Sequence, residues 1–167
     1  MDKGLRSPFQ RPLVAGALAT MLAYLACGGA PRIPSPEPTP APSPVAGEVA
    51  RFAVLVNAHR LEAGCRALRW DEGVARVAEA HSADMAARGF FSHQNPDRKS
   101  PFDRLRDGGI AYSAAAENIA YGTSDAERVL ALWLGSPHHR ANIENCGYTR
   151  QGVGMVGGKW TQVFITP

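Results

Sequence analysis

Between Pro31 and Pro44 the chain reads PRIPSPEPTPAPSP, a stretch holding seven of its thirteen prolines. Every second or third residue there lacks a backbone donor and has a fixed φ, so neither a helix nor a sheet ladder can form. An extended polyproline-type spacer is expected instead, at about 3.1 Å per residue. The spacer divides the 167 residues unequally. A leader occupies residues 1–27, a linker residues 28–47, and whatever folds must fold from residues 48–167. About 120 residues suffice for one domain with a real core.

The leader carries Lys3, Arg6 and Arg11, followed by an uncharged run from Leu13 to Leu25. That run is too short to span a bilayer, which takes about 20 apolar residues. A basic start, a short apolar core and a small-residue exit read as an export signal. Cys27 closes the run in LAYLACGG, which resembles the lipobox of bacterial lipoproteins. The resemblance implies that Cys27 is lipidated and anchors the domain to a membrane through the stalk. Tyr24 stands where such boxes usually carry leucine, so plain cleavage and secretion is the alternative.

Removing residues 1–26 takes away three basic and one acidic side chain, leaving 15 and 14, a net charge of +1. No basic run survives in the body, which argues against nucleic acid as a partner. Of the three cysteines, Cys27 belongs to the leader, leaving Cys65 and Cys146. In an oxidising compartment these are expected to form a disulfide. Closing a loop of about 80 residues would stabilise the fold by about 4 kcal/mol on the chain-entropy model.

Helical periodicity runs from Glu48 to Ala63 through Val49, Phe52, Ala53, Val56 and Arg60, and Gly64 ends it. A second helix is expected from Asp71 to Arg88, with Val74, Val77, Ala78, His81 and Met85 inward and Gly89 as its stop. Ser124 or Asp125 caps a third, whose Val129, Leu130, Trp133 and Leu134 face the core. Ser136-Pro137 reads as N-cap and first residue of a short fourth helix. GVGMVGG and WTQVFITP then look like two strands joined around Gly157-Gly158. Helices first and strands last suggest an α+β body.

Three polar groups stand at the edges of these elements: His93 in GFFSHQNPD, Glu117 in ENIAYG and His139 in SPHHRANIENC. Two imidazoles and a carboxylate can make a metal site or an acid–base pair. His139 falls in the first turn of its helix, where the macrodipole disfavours imidazolium. His138, about 100° around the helix, should face elsewhere. Other polar and aromatic residues have quieter readings. His81 and His59 are expected as satisfied packing residues, and Trp133 and Trp160 as core. Trp70 should pack in front of the second helix. Ser92 is a poor nucleophile candidate, since its side chain and that of His93 should diverge.

The ordered segments VNAHRLEAG, HSADMAARGFFSHQNPD, AENIAYG, ALWLGSPHHRANIENC, GVG and WTQVFITP resemble the bacterial branch of the CAP superfamily. That superfamily unites cysteine-rich secretory proteins, antigen 5 and plant pathogenesis-related proteins, and its domain is also called SCP. The resemblance spans residues 49–167 and implies a three-layer α-β-α sandwich with a cleft lined by two histidines and two acids. His93, Glu117 and His139 match three of these. Ser136 stands at the position of the second acid, and His138 replaces the glycine of a bacterial SPGHR pattern. Asn118 is expected to fasten backbone in the cleft wall and Gln162 to reach its floor. With one acid absent, a weak, open Zn²⁺ or other divalent site at His93 and His139 stays compatible with the pattern.

The resemblance implies, loosely, a monomeric binding module for a small apolar, lipid-like or peptidic ligand or an envelope component. A cleft lacking a nucleophile with a partnered base fits binding better than turnover. The alternatives are a metal-assisted hydrolase of peptide or phosphodiester bonds, with Glu117 as ligand or base, and a surface scaffold without ligand.

Overall fold

The computed structural model describes residues 44–167. The export signal, the lipidation site Cys27 and the proline stretch through Ser43 lie outside the described residues. Helix α1 runs over Pro44–Glu62, four residues earlier than its periodicity suggests, because proline is well suited to the first helical turn. It buries Phe52, Val56 and Arg60 at a four-residue spacing, and the chain turns at Gly64 with φ +81°. Strand β1 is Arg69–Trp70. Helix α2, Glu72–Ala87, starts where the Asp71 carboxylate accepts from the Val74 N–H, satisfying one of the free amides of its first turn.

Helix α3, Pro101–Asp107, was not foreseen. It opens on a capping box in which the Ser100 hydroxyl accepts from the Asp103 N–H and the Asp103 carboxylate accepts from the Ser100 N–H. Strand β2 is Ala114–Tyr121. Helix α4 is Ala126–Gly135, with the Asp125 side chain accepting from the Arg128 N–H, and α5 is Pro137–Ile143. Strands β3, Arg150–Val156, and β4, Lys159–Thr166, complete a sheet of order β1-β3-β4-β2. Gly157 and Gly158, at φ +56° and +71°, make the tight β3–β4 turn, which needs two positive φ values in a row.

Alternate residues of this sheet serve different cores. Val163 and Ile165 of β4 pack with Val74 and Ala78 of α2 and Leu105 of α3. Trp160 and Phe164 pack on the opposite face with Phe52 and Val56 of α1, Val129 and Trp133 of α4, and Ile143 of α5. Helices thus cover both faces, the expected α-β-α sandwich. Helix α2 lies directly on the β3 backbone. A Cβ on Gly152 would stand 2.1 Å from the Ala75 nitrogen, and one on Gly154 2.2 Å from the Glu79 Cα. That close approach is the reason for the glycines in GVGMV.

The expected disulfide joins Cys65 to Cys146, with Cα atoms 4.9 Å apart at a sequence separation of 81. Beside it lies Arg60, fully buried. Its guanidinium donates to the carbonyls of Arg66, Ile143, Asn145 and Tyr148. Burial without a counter-charge lowers its pKa, and the carbonyls take the place of water. Together the bridge and this arginine fasten the end of α5 to α1.

Candidate functional site

His93 comes from the loop after α2. His81, buried on α2, bonds through Nε2 to the Ser92 carbonyl at 3.0 Å, and its ring meets that of Phe90. These contacts set the loop so that His93 turns toward β2. There its Nδ1–H donates to Glu117 Oε1 at 2.8 Å. Glu117 Oε2 accepts from Arg104 Nη2 of α3 at 2.7 Å. Arg104 also donates through Nη1 to the carbonyls of His93 and Lys99. One guanidinium therefore holds both the carboxylate and the backbone of the histidine that the carboxylate orients.

Exposure separates the roles. The His93 side chain is 50% exposed, whereas the Glu117 side chain is 2% exposed. Both carboxylate oxygens are engaged and hidden, so Glu117 acts on the imidazole and not on anything in the cleft. With Nδ1–H bonded to the acid, the neutral ring keeps its lone pair on Nε2, the tautomer control familiar from carboxylate–histidine pairs.

Glu117 as a whole residue is 8% exposed, so most of what solvent reaches there is main chain. The Gly122 N–H bonds to the Gly158 carbonyl, continuing the β2–β4 pairing through even-numbered β2 residues. Hydrogen-bonded and open pairs alternate in an antiparallel ladder, so the odd residues turn their peptide groups to the free edge. The Ile119 carbonyl there is taken by the Trp133 indole. The peptide N–H and C=O of Glu117 therefore lie on the free edge of β2.

His139 arrives from the far side, on α5. Asn118 donates to the His139 carbonyl at 3.1 Å and accepts from Asn142 at 2.8 Å, which ties α5 to β2. The His139 pKa is lowered, first by burial and then by the charges of His93 and His138. The direction is the one expected for an imidazole in the first turn of a helix, here the seven-residue α5. His93 thus lies near enough for its charge to act on His139, while His138 is exposed.

Two expected neighbours stand elsewhere. Gln162 is fully buried and donates to Gln151 at 2.9 Å, so it presents nothing at the cleft surface. Ser136 is the backbone N-cap of α5 but makes no side-chain capping bond, and it borders a shallow hollow with Arg128 and Leu132. The Ser92 hydroxyl accepts from the Gln94 N–H. His59 pairs with Glu144 at 2.9 Å. Trp70 is 40% exposed, with its indole donating to Glu72. Arg104 escaped the sequence reading, although SPFDRL repeats the Ser-Pro helix start recognised at Ser136-Pro137.

The cysteine-rich secretory protein family model, CAP, matches residues 54–166. The chain belongs to this family. The CAP domain is 44% identical over 113 residues to uncharacterized protein YkwD of Bacillus subtilis, covering 66% of this chain and 44% of that one. It is 40% identical over 111 residues to uncharacterized membrane protein YlbC of the same organism, covering 66% and 32%. The chain thus spans under half the length of these relatives. Among solved structures, an extracellular protein containing an SCP domain from Bacillus anthracis aligns with TM-score 0.71 and 37% identity, over 72% of this chain and 41% of that one. An outer surface protein of Borrelia burgdorferi aligns with TM-score 0.67 over 72% and 92%, at 17% identity, a likeness of fold.

The residues of the CAP cleft do not fit a resident Zn²⁺. Such sites take three or four protein ligands, and no cluster of three or more His, Cys, Asp or Glu suited to a metal occurs among the described residues. Glu117 is committed to Arg104 and His93, and His93 Nδ1 to Glu117. Two imidazoles remain, each able to give a metal one nitrogen, with a guanidinium beside the acid that holds one of them.

Proposed function

We propose that this CAP domain is a binding module of the cell surface or extracellular space, whose cleft takes the backbone of a peptidic envelope component without breaking a bond. The burial of the Glu117 carboxylate behind a half-exposed His93 carries this reading. A general base must reach the proton it removes, and this carboxylate has no access to the cleft. What the cleft offers is the His93 Nε2 acceptor, the imidazole of His139 and the edge amide of Glu117, a set suited to amide groups. Relatives described as extracellular, outer surface and membrane proteins support the location. Anchoring through Cys27 would hold the module near its ligand.

Titrating ¹⁵N-labelled protein with the blocked peptide acetyl-Ala-Gln-Ala-amide tests this. Shifts confined to His93, Glu117 and His139, lost in His93→Phe, are expected at millimolar peptide. Cleavage of the peptide, or shifts indifferent to His93→Phe, would overturn it.

A second reading has its own observation. A hollow of about 580 Å³ lies between α1 and α2, apart from His93 and Glu117, lined by Val49, Ala53, Trp70, Ala75 and Met155 among others. Its apolar walls suit a lipid-like ligand. Protection of Trp70 fluorescence by a short-chain fatty acid, abolished in Ala53→Trp, would select that reading.

A further inference from the structure

Beside the cleft stands a second cluster that the His93–Glu117 arrangement does not use. Phe91 is 42% and Tyr121 61% exposed, and their ring centroids are 4.6 Å apart, tilted by 59°. The Lys159 ammonium lies 5.5 Å from the Phe91 centroid and 4.9 Å from that of Tyr121. It also donates to the Phe90 carbonyl at 3.3 Å. No carboxylate of the described residues pairs with it. Lys159 faces Tyr121 in the β2–β4 register, so sheet pairing and two aromatic faces hold this cation in place. An exposed aromatic pair with an ammonium fixed beside it offers an apolar side chain and an adjoining carboxylate complementary partners on one small surface.

Its position relates it to the cleft. Phe91 is two residues before His93, at most about 7 Å away along the chain. Tyr121 is four residues beyond Glu117, on the same face of β2, about 13 Å along the strand. Two to four residues of extended peptide cover that interval.

We propose that Phe91, Tyr121 and Lys159 form the terminal subsite of the cleft, receiving the aromatic last residue and free carboxylate of a peptide whose preceding amides reach His93. The rings take the apolar side chain and the ammonium takes the carboxylate. This rests on the cleft being a peptide site.

The test compares acetyl-Ala-Ala-Phe, its carboxy-terminal amide and octanoate, by NMR titration of the full chain. The free acid should bind about fivefold tighter than the amide, the worth of one partly exposed ion pair. Lys159→Gln should erase that ratio, and Tyr121→Ser, at an exposed position, should weaken both peptides. His93→Gln should weaken both while keeping the ratio. An acid-to-amide ratio near one, or one unmoved by Lys159→Gln, overturns the subsite. Octanoate binding as tightly as the acid overturns the peptide assignment. If Lys159→Gln acts while His93→Gln does nothing, the cleft reading fails and the aromatic cluster stands as a separate site.

Discussion

Replacing Arg104 alone should cost nearly as much as replacing it together with its partner. The Arg104 side chain is 10% exposed and that of Glu117 2%, with the ion pair at 2.7 Å. Removing one member of a buried pair strands the other charge, at about 3–5 kcal/mol. For Arg104→Met the lower end applies, because His93 still donates to Glu117. At about 4 °C per kcal/mol for a domain of this size, Arg104→Met should lower Tm by about 12 °C. Glu117→Gln strands the guanidinium instead and should cost a similar amount. In the double variant Arg104→Met/Glu117→Gln no charge is stranded, so the total should stay near 3 kcal/mol and the coupling energy should reach about 2–3 kcal/mol. Urea unfolding at pH 7, followed by tryptophan fluorescence, measures all three. Single-variant losses that add to within about 0.5 kcal/mol would refute the claim that the two groups act as a unit.

Acidification makes a separate prediction. His81 and His139 are both held below the usual imidazole range, in each case first by burial. The unfolded chain therefore takes up protons first. Their contribution to stability is full above about pH 6.5 and is lost as pH falls toward the folded values. His139→Gln should flatten the fall in stability between pH 6.5 and 5, and an unaltered slope would count against it. Gly154→Ala should destabilise by at least the 1–3 kcal/mol typical of overpacking, given a Cβ 2.2 Å from the Glu79 Cα. Gly47→Ala, with nothing within 4 Å, is the control for that urea series and should be neutral or better. Zn²⁺ calorimetry on the whole protein should give no stoichiometric binding at micromolar metal. Tight one-to-one binding lost in His93→Ala would reverse the reading of the donor set.

Much of the architecture was legible because local chemistry and global packing agree. Asp71 and Asp125 cap the helices they precede, Gly157-Gly158 turns the hairpin, and the cysteine pair closes as compartment logic suggested. Strand β2 was harder. Its AAAENIAY is rich in alanine and poor in β-branched residues, so its strand character comes from pairing with β4 and not from propensity. Helix α3 has seven residues, about two turns, too short for a hydrophobic period to show. His93, Glu117 and His139 were picked out, but the use of Glu117 was not. That depends on Arg104, thirteen positions away in sequence, and spacing carries no sign of a partner on a different element. The depressed pKa of His139 has the expected direction, with burial as its first cause, and burial is a property that spacing alone does not carry.

The fastening of α5 to α1 has an asymmetric effect on the cleft. His139 rides on the segment whose far end is secured by Cys65–Cys146 and by Arg60, whereas His93, Glu117 and Arg104 draw on α2, β2 and α3 alone. Opening the bridge with a thiol should therefore quicken amide exchange along α5 while leaving the opposite wall as slow as before. Reduction should therefore loosen the His139 side first while Asn118, Asn142 and Arg60 still hold α5, so the geometry of this wall is set by the oxidation state of two sulfur atoms, one of them far from the imidazole in sequence.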